Sequence, residues 1–303
     1  MTNKKKYQGI IIPAITPLTA DYKLDGGAVE RIFSNFRQHN VLPFILGTTG
    51  ESALLPLSLK TEYIKLAGEL KQPGEMLYTG IASNCLEESI ELAKLSFDNN
   101  ADAVVATLPS YYKLTDSQMK RYFERLIEAC NGPLVLYNIP ATVHMSIPLH
   151  IIDELSYHEN VVAVKDSERS DQRLNDSLNL WADRLDFSYF LGWAARSAEA
   201  LINGADGVVP STGNLHPEIY SDMLQAVLDG NHTKARALQV SSDELGNVYQ
   251  YGRTLGESLW ALKVLMNERG LCLPYVMPPL EAMSDDEKFS IIESLGEFLK
   301  VRE

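Results

Sequence analysis

The sequence predicts an α/β protein: a (β/α)₈ barrel of the TIM type over residues 1–230, followed by a C-terminal helical extension over residues 231–303. Three observations carry this. Short β-rich runs alternate with amphipathic helical runs in strict order, eight times. The strand runs are apolar almost throughout, as strands covered on both faces are. Each unit spans about 25–30 residues, room for a strand and a right-handed crossover helix. A doubly wound open sheet is the competing architecture. No G-x-G-x-x-G turn follows the first strand, which counts against its dinucleotide-binding form.

Taken in order, GIIIPAI is the first strand and GGAVERIFSNFRQHN its helix. FILGT leads into SLKTEYIKLAGELK, MLYTGIA into CLEESIELAKLSFDNN, and AVVATL into SQMKRYFERLIEAC. PLVLYNI then leads into PLHIIDELS, VVAVKDS into DQRLNDSLNLWADRL, SYFLGW into RSAEALING, and GVVPST into HPEIYSDMLQAVLDG. Beyond residue 230, ARALQVSSDELGNVYQYG, GESLWALKVLMNERG and DEKFSIIESLGEFLKVRE read as helices with no further strand.

A 45% hydrophobic and 22% charged composition supports a sizeable core. The net charge of -13 repels phosphate backbones and anionic lipid, so neither nucleic acid nor a membrane is an expected partner. No apolar run approaches the roughly 18 residues of a membrane span. Lys4 to Lys6 precede an apolar run that Pro13 and Pro17 break, and it reads as a first strand instead of a cleaved signal. Cys85, Cys130 and Cys272 are odd in number and form no C-x-x-C pair. That argues against a disulfide framework or zinc cluster and for a reducing, cytoplasmic setting. The histidines show no H-x-H or H-E-x-x-H spacing, and there is no P-loop, so neither metal nor cofactor is expected.

Reactive groups of such barrels collect at the C-terminal ends of the strands. Here those ends carry Thr16, Gly47-Thr48-Thr49-Gly50-Glu51, Ser83, Tyr111-Tyr112, Tyr137-Asn138, Lys165-Asp166-Ser167, Gly192-Trp193 and Ser211-Thr212. Lys165 is the anomaly, a cation closing a strand that should be buried. Burial disfavours the ammonium and frees a neutral amine, a carbonyl nucleophile that forms Schiff bases. The alternative is a plain ion pair with Asp166 or Glu51. Tyr137 ends the preceding strand at matching height, so its phenol can shuttle protons to that amine, or else satisfy itself on a backbone group. In GTTGES, the N–H groups around Thr48 and Thr49 form either an anion cradle or an ordinary turn whose threonines cap the next helix.

GTTGES, YY, YNIPA, VKDS and GADGVVPSTGN fall in order along nearly the whole chain. Together they resemble the dihydrodipicolinate synthase/N-acetylneuraminate lyase family of class I, Schiff-base-forming aldolases. The resemblance implies that Lys165 forms an imine with pyruvate or a pyruvate-derived keto acid. It makes Tyr137 the proton relay with Thr49 and Tyr112, the last reaching into a neighbouring subunit's site. Thr48 and Thr49 would hold the carboxylate. It implies a homotetramer built as a dimer of dimers, with a keto acid and an aldehyde as small-molecule partners.

The chain departs from two members. Thr142 stands where dihydrodipicolinate synthases carry a carboxylate-gripping arginine, and a hydroxyl is no bidentate guanidinium. Ala194 and Ala195 stand where sialic acid lyases carry an acidic pair. Ser167 and Ser211 match hydroxyls of sugar-acid members, so the pattern is nearest to 2-keto-3-deoxy sugar acid aldolases and dehydratases. Gly192 belongs to the substrate face. Arg196 either meets a distal anion or is a surface residue of the seventh helix. The alternatives are a 4-hydroxy-tetrahydrodipicolinate synthase, a keto-deoxy acid dehydratase, an N-acetylneuraminate lyase, or an idle sugar-acid binding protein.

Overall fold

The computed structural model describes residues 5–300. Eight parallel strands close into a barrel in sequence order, β1 (Gly9–Pro13), β2 (Leu42–Ile45), β3 (Tyr78–Gly80), β4 (Ala103–Thr107), β5 (Leu134–Asn138), β6 (Val161–Asp166), β7 (Ser188–Leu191) and β8 (Gly207–Val208). The helices α1 (Gly26–Gln38), α2 (Leu57–Leu70), α3 (Leu86–Asp98), α4 (Asp116–Cys130), α5 (Pro140–Val143), α6 (Leu149–Leu155), α7 (Asp171–Leu180), α8 (Ser197–Ile202) and α9 (Pro217–Leu228) alternate with them. The tail adds α10 (His232–Gln250), α11 (Leu255–Glu268) and α12 (Asp285–Lys300). The closed barrel and the C-terminal helices match the sequence expectation.

The local causes are plain in α4. Thr115 caps it, and its own N–H donates to the Gln118 side-chain oxygen to complete a capping box. Met119, Tyr122, Phe123, Leu126, Ile127 and Cys130 recur at helical spacing and form its buried face. Asn131 ends it in the left-handed region, at φ 48°. Helix α11 differs in kind: every residue from Ser258 to Met266 is buried. A helix apolar all round belongs in the interior, and one hydrophobic core runs from the barrel into the tail without a break.

The strands are shorter at their C-terminal ends than the apolar runs. The residues beyond them leave the ladder and build the loops of the site. YNIPA turns into α5, with Pro140 as its first residue, where a missing N–H is harmless. Ala194–Arg196 and Ser211–Asn214 form 3₁₀ turns. Helix α7 stops at Leu180, short of the expected run to Leu185, because Trp181 buries itself and donates from Nε1 to Asp153 Oδ1 at 3.0 Å.

The ring closes between β1 and a β8 of two residues, Gly9 facing Gly207 and Ile10 facing Val208. Above that short ladder a side chain takes over. Asn214 Oδ1 accepts from Ile15 N at 3.1 Å, and its Nδ2 donates to Pro13 O and Ser211 O, both at 2.9 Å. Among the described residues no helix is long and apolar enough to cross a membrane.

Candidate active site

The register of β5 on β6 sets Tyr137 beside Lys165 and Asn138 beside Asp166. Successive strand side chains face opposite sides, so the two pairs separate. Lys165 turns its amine over the Tyr137 ring, 3.9 Å from the centroid, and lies 4.9 Å from that of Phe44 on β2. Both Lys165 and Tyr137 are buried. Ser167 Oγ lies 3.5 Å from the Tyr137 hydroxyl. Burial alone would push the phenol up. The Lys165 charge and hydrogen bonds with Ser167, Lys165 and Thr48 outweigh it and hold Tyr137 below the usual tyrosine range.

The two acids expected as plain partners for Lys165 are committed elsewhere. Asp166 accepts from Arg173 Nε at 2.5 Å, from Asn138 Nδ2 at 3.0 Å and from the Glu168 N–H at 2.9 Å. Burial still pushes its carboxyl up, against the pull of Arg173. Arg173 also donates to Ile147 O at 2.8 Å, tying the β6 exit to the loop after α5. Glu51 pairs with Lys263 of α11 at 2.5 Å. Among the described residues no carboxylate lies within ion-pair distance of Lys165.

The turn at Thr48 and Thr49 does not cap a helix. Helix α2 begins at Leu57, and its N-cap is Pro56, without a side-chain bond. The N–H groups of Gly50, Glu51 and Ser52 fold back onto the carbonyls of Gly47 and Thr48. Among the described residues, those of Thr48 and Thr49 donate to no backbone carbonyl. Leu46 and Glu51 flank the turn at φ 55° and 57°. Such left-handed backbone at non-glycine residues persists only where the surroundings over-determine it, often at binding sites.

A cavity of about 820 Å³ opens at this face of the barrel. Phe44, Thr48 and Tyr137 line it at the strand ends, Thr142 lines its side, and Leu259 and Leu280 of the tail close another wall. Lys60 on α2 also faces it, held below the usual lysine range by burial, with Glu88 of α3 pulling the other way.

The remaining predicted residues scatter. Thr49 is buried in the turn. Gly192 approaches Ser167 so closely that an added Cβ would stand 2.0 Å from Ser167 Oγ, and its N–H donates to Asp166 O at 2.6 Å. Ser211 spends its hydroxyl on Tyr249 of α10, at 2.9 Å. Arg196 pairs with Asp171 at 2.7 Å and covers the Trp193 ring. Tyr112 is 76% exposed and meets Tyr111 edge to face, with ring centroids 4.9 Å apart.

Sequence reasoning missed two residues, Arg173 and Lys263. Lys263 did leave a signal, a lone charge inside the apolar run LWALKVLM.

Known proteins carry the same frame. The family model described as the dihydrodipicolinate synthetase family matches residues 6–297. A DapA-like lyase of Pyrococcus abyssi is 28% identical over 294 residues, covering 95% of this chain and 97% of that one. A 4-hydroxy-tetrahydrodipicolinate synthase of Alkalilimnicola ehrlichii is 26% identical over 290 residues, covering 95% and 98%. The crystal structure of dihydrodipicolinate synthase from Bacteroides thetaiotaomicron superposes with a TM-score of 0.91 at 28% identity, over 97% of this chain and 99% of its own. YagE from E. coli K12, solved with pyruvate, has the same TM-score of 0.91 at 23% identity and the same coverage, and speaks for the fold alone. The chain therefore belongs to the dihydrodipicolinate synthetase family, whose members are lyases of the aldolase type.

Proposed function

We propose that this chain is a pyruvate-dependent class I aldolase that works through an imine on Lys165, with a 2-keto-3-deoxy sugar acid as its substrate. The observation that carries the reading is a buried amine with no carboxylate partner among the described residues, 3.9 Å from the ring of a tyrosine whose phenol is held below its usual range. A buried amine beside a phenol, with no carboxylate to hold its proton, can pass that proton to the phenol and attack a carbonyl. A phenol brought toward neutrality both gives and takes protons efficiently.

The steps follow from these groups. The keto acid's carboxylate lies against the free N–H groups of Thr48 and Thr49. Lys165 adds to the C2 carbonyl, and Tyr137 delivers the proton that lets water leave, giving the iminium. In cleavage, Tyr137 takes the proton from the C4 hydroxyl as the C3–C4 bond breaks. The bond's electron pair moves into the iminium, an aldehyde departs, and the enamine remains. Protonation at C3 and hydrolysis of the imine release pyruvate and restore the amine.

Thr142, whose hydroxyl cannot grip a carboxylate as a guanidinium does, favours this substrate over that of the 4-hydroxy-tetrahydrodipicolinate synthases, the name some relatives bear. Dehydration of the same acid runs through the same imine. The exposed Tyr112 suits insertion into a neighbouring copy's site, in a cytoplasmic homotetramer.

Incubation with pyruvate and sodium borohydride should leave a reduced pyruvyl adduct, visible in intact mass and mapped by peptide to Lys165. No adduct sinks the imine reading. Tyr137→Phe should still form the adduct but turn over roughly 10²–10⁴-fold more slowly. Steady-state cleavage rates within about 10-fold of wild type would assign the relay to another hydroxyl.

A further inference from the structure

Among the described residues, the Glu51–Lys263 pair is the ion pair with both side chains fully buried. The Lys263 ammonium is enclosed by three oxygens: Glu51 Oε1 at 2.5 Å, Thr16 O at 2.7 Å and Tyr275 O at 2.7 Å. Two of its N–H groups are spent on the carbonyls and its charge is paired with Glu51, so the cation takes no part in binding substrate. The other carboxylate oxygen of Glu51 accepts from Met277 N at 2.6 Å. One residue earlier, Gly50 O accepts from the Thr16 hydroxyl at 2.6 Å. The second half of the GTTGES turn is thus gripped by the β1 exit, by α11 and by the segment before α12. Its first half carries the two N–H groups without a backbone partner. Glu51 sits at φ 57°, a conformation that needs such a grip.

We infer that Lys263 is a positioning residue of the site: through Glu51 it holds the N–H groups of Thr48 and Thr49 aimed at the keto-acid carboxylate. The helical tail is then part of the binding machinery, acting through the buried cation on α11. The inference rests on the imine reading for the identity of the anion. The holding of the turn does not depend on that reading.

The test is the double variant Glu51→Gln/Lys263→Met, which removes both charges together and leaves neither buried alone. Two readouts are compared with wild type in the full-length protein. Hydrogen exchange of peptides covering residues 46–55 should become at least about 10-fold faster, while exchange in β5 and β6 stays the same. The pyruvate concentration for half-maximal borohydride trapping should rise at least about 10-fold, with the plateau yield unchanged because Lys165 is intact.

Wild-type exchange in 46–55 overturns the inference. So does faster exchange with an unmoved half-saturation, which would make the pair structural only. If wild type forms no adduct, the imine reading fails, and the exchange data still decide whether the pair holds the turn. Glu51→Gln/Lys263→Gln, which also removes both charges but keeps a donor for the Thr16 and Tyr275 carbonyls, supplies the same readouts should the methionine variant not fold.

Discussion

Lys165→Ala should abolish the borohydride-trapped adduct and slow exchange of the pyruvate methyl protons with D₂O by at least roughly 10³-fold. The exchange reports the enamine directly and needs no aldehyde, so the unknown second substrate does not enter. The size of the loss follows from the absence of a stand-in beside Tyr137, whose neighbouring cation is Lys165. Lys263, the other buried lysine, is walled in by three oxygens. Tyr137 remains, but a general base without the iminium has no electron sink to drive proton loss from C3. The fold should survive, since β6 keeps its register and Asp166 keeps its partners. A Lys165→Ala protein with wild-type circular dichroism that still exchanges the methyl protons would remove Lys165 from the chemistry.

Arg173→Met should destabilise the protein by about 3–5 kcal/mol near neutral pH, the usual cost of stranding one member of a buried pair. Asp166 is nearly out of contact with water, and among the described residues Arg173 is its cationic partner. The pH dependence carries a definite sign. Burial already raises the folded carboxyl above its ordinary value, so folding binds a proton in that window and stability falls as pH rises through it. Losing the guanidinium raises the folded value further. The deficit of Arg173→Met is therefore full above the variant's folded pKa and shrinks as pH falls through it, because a protonated acid needs no counter-ion. Urea unfolding of both proteins across the acid range checks this, and a gap that stays constant with pH would mean that Arg173 stabilises by packing alone.

Much of the fold was legible because both periodicities were clean. VVAVK has no polar break before its lysine, and β6 is buried at every position. The neighbourhood of Tyr137 and Lys165 was legible for the same reason, since adjacent parallel strands of like length align their last residues. What the sequence hid was commitment. Asp166 and Glu51 each looked free to neutralise Lys165, and only the packing reveals the cations that claim them. Arg173 hides in the polar stretch SERSDQR, where any residue passes for a solvated one. Lys263 lies more than two hundred residues from Glu51, so no local pattern links them. The reading of the two threonines as caps failed on distance, since seven residues separate Thr49 from the start of α2. Ser211 and Arg196 were legible as polar groups at strand ends, but not their partners Tyr249 and Asp171, which arrive from other helices.

The carboxamide of Asn214 has a consequence for how the ring can come apart. The first and last strands share two residue pairs, as β2 with β3 and β7 with β8 do, and Asn214 adds a side-chain bridge above them. The seam is a clasp, not a weld. Local opening takes the path with least to break, so β8, held by two residue pairs on either side, should part before the longer ladders among β4, β5 and β6. The same clasp lets the backbone after Val208 leave the sheet and supply Ser211 and Thr212 to Tyr249. A longer eighth strand would make a tighter ring and lose that corner of the mouth.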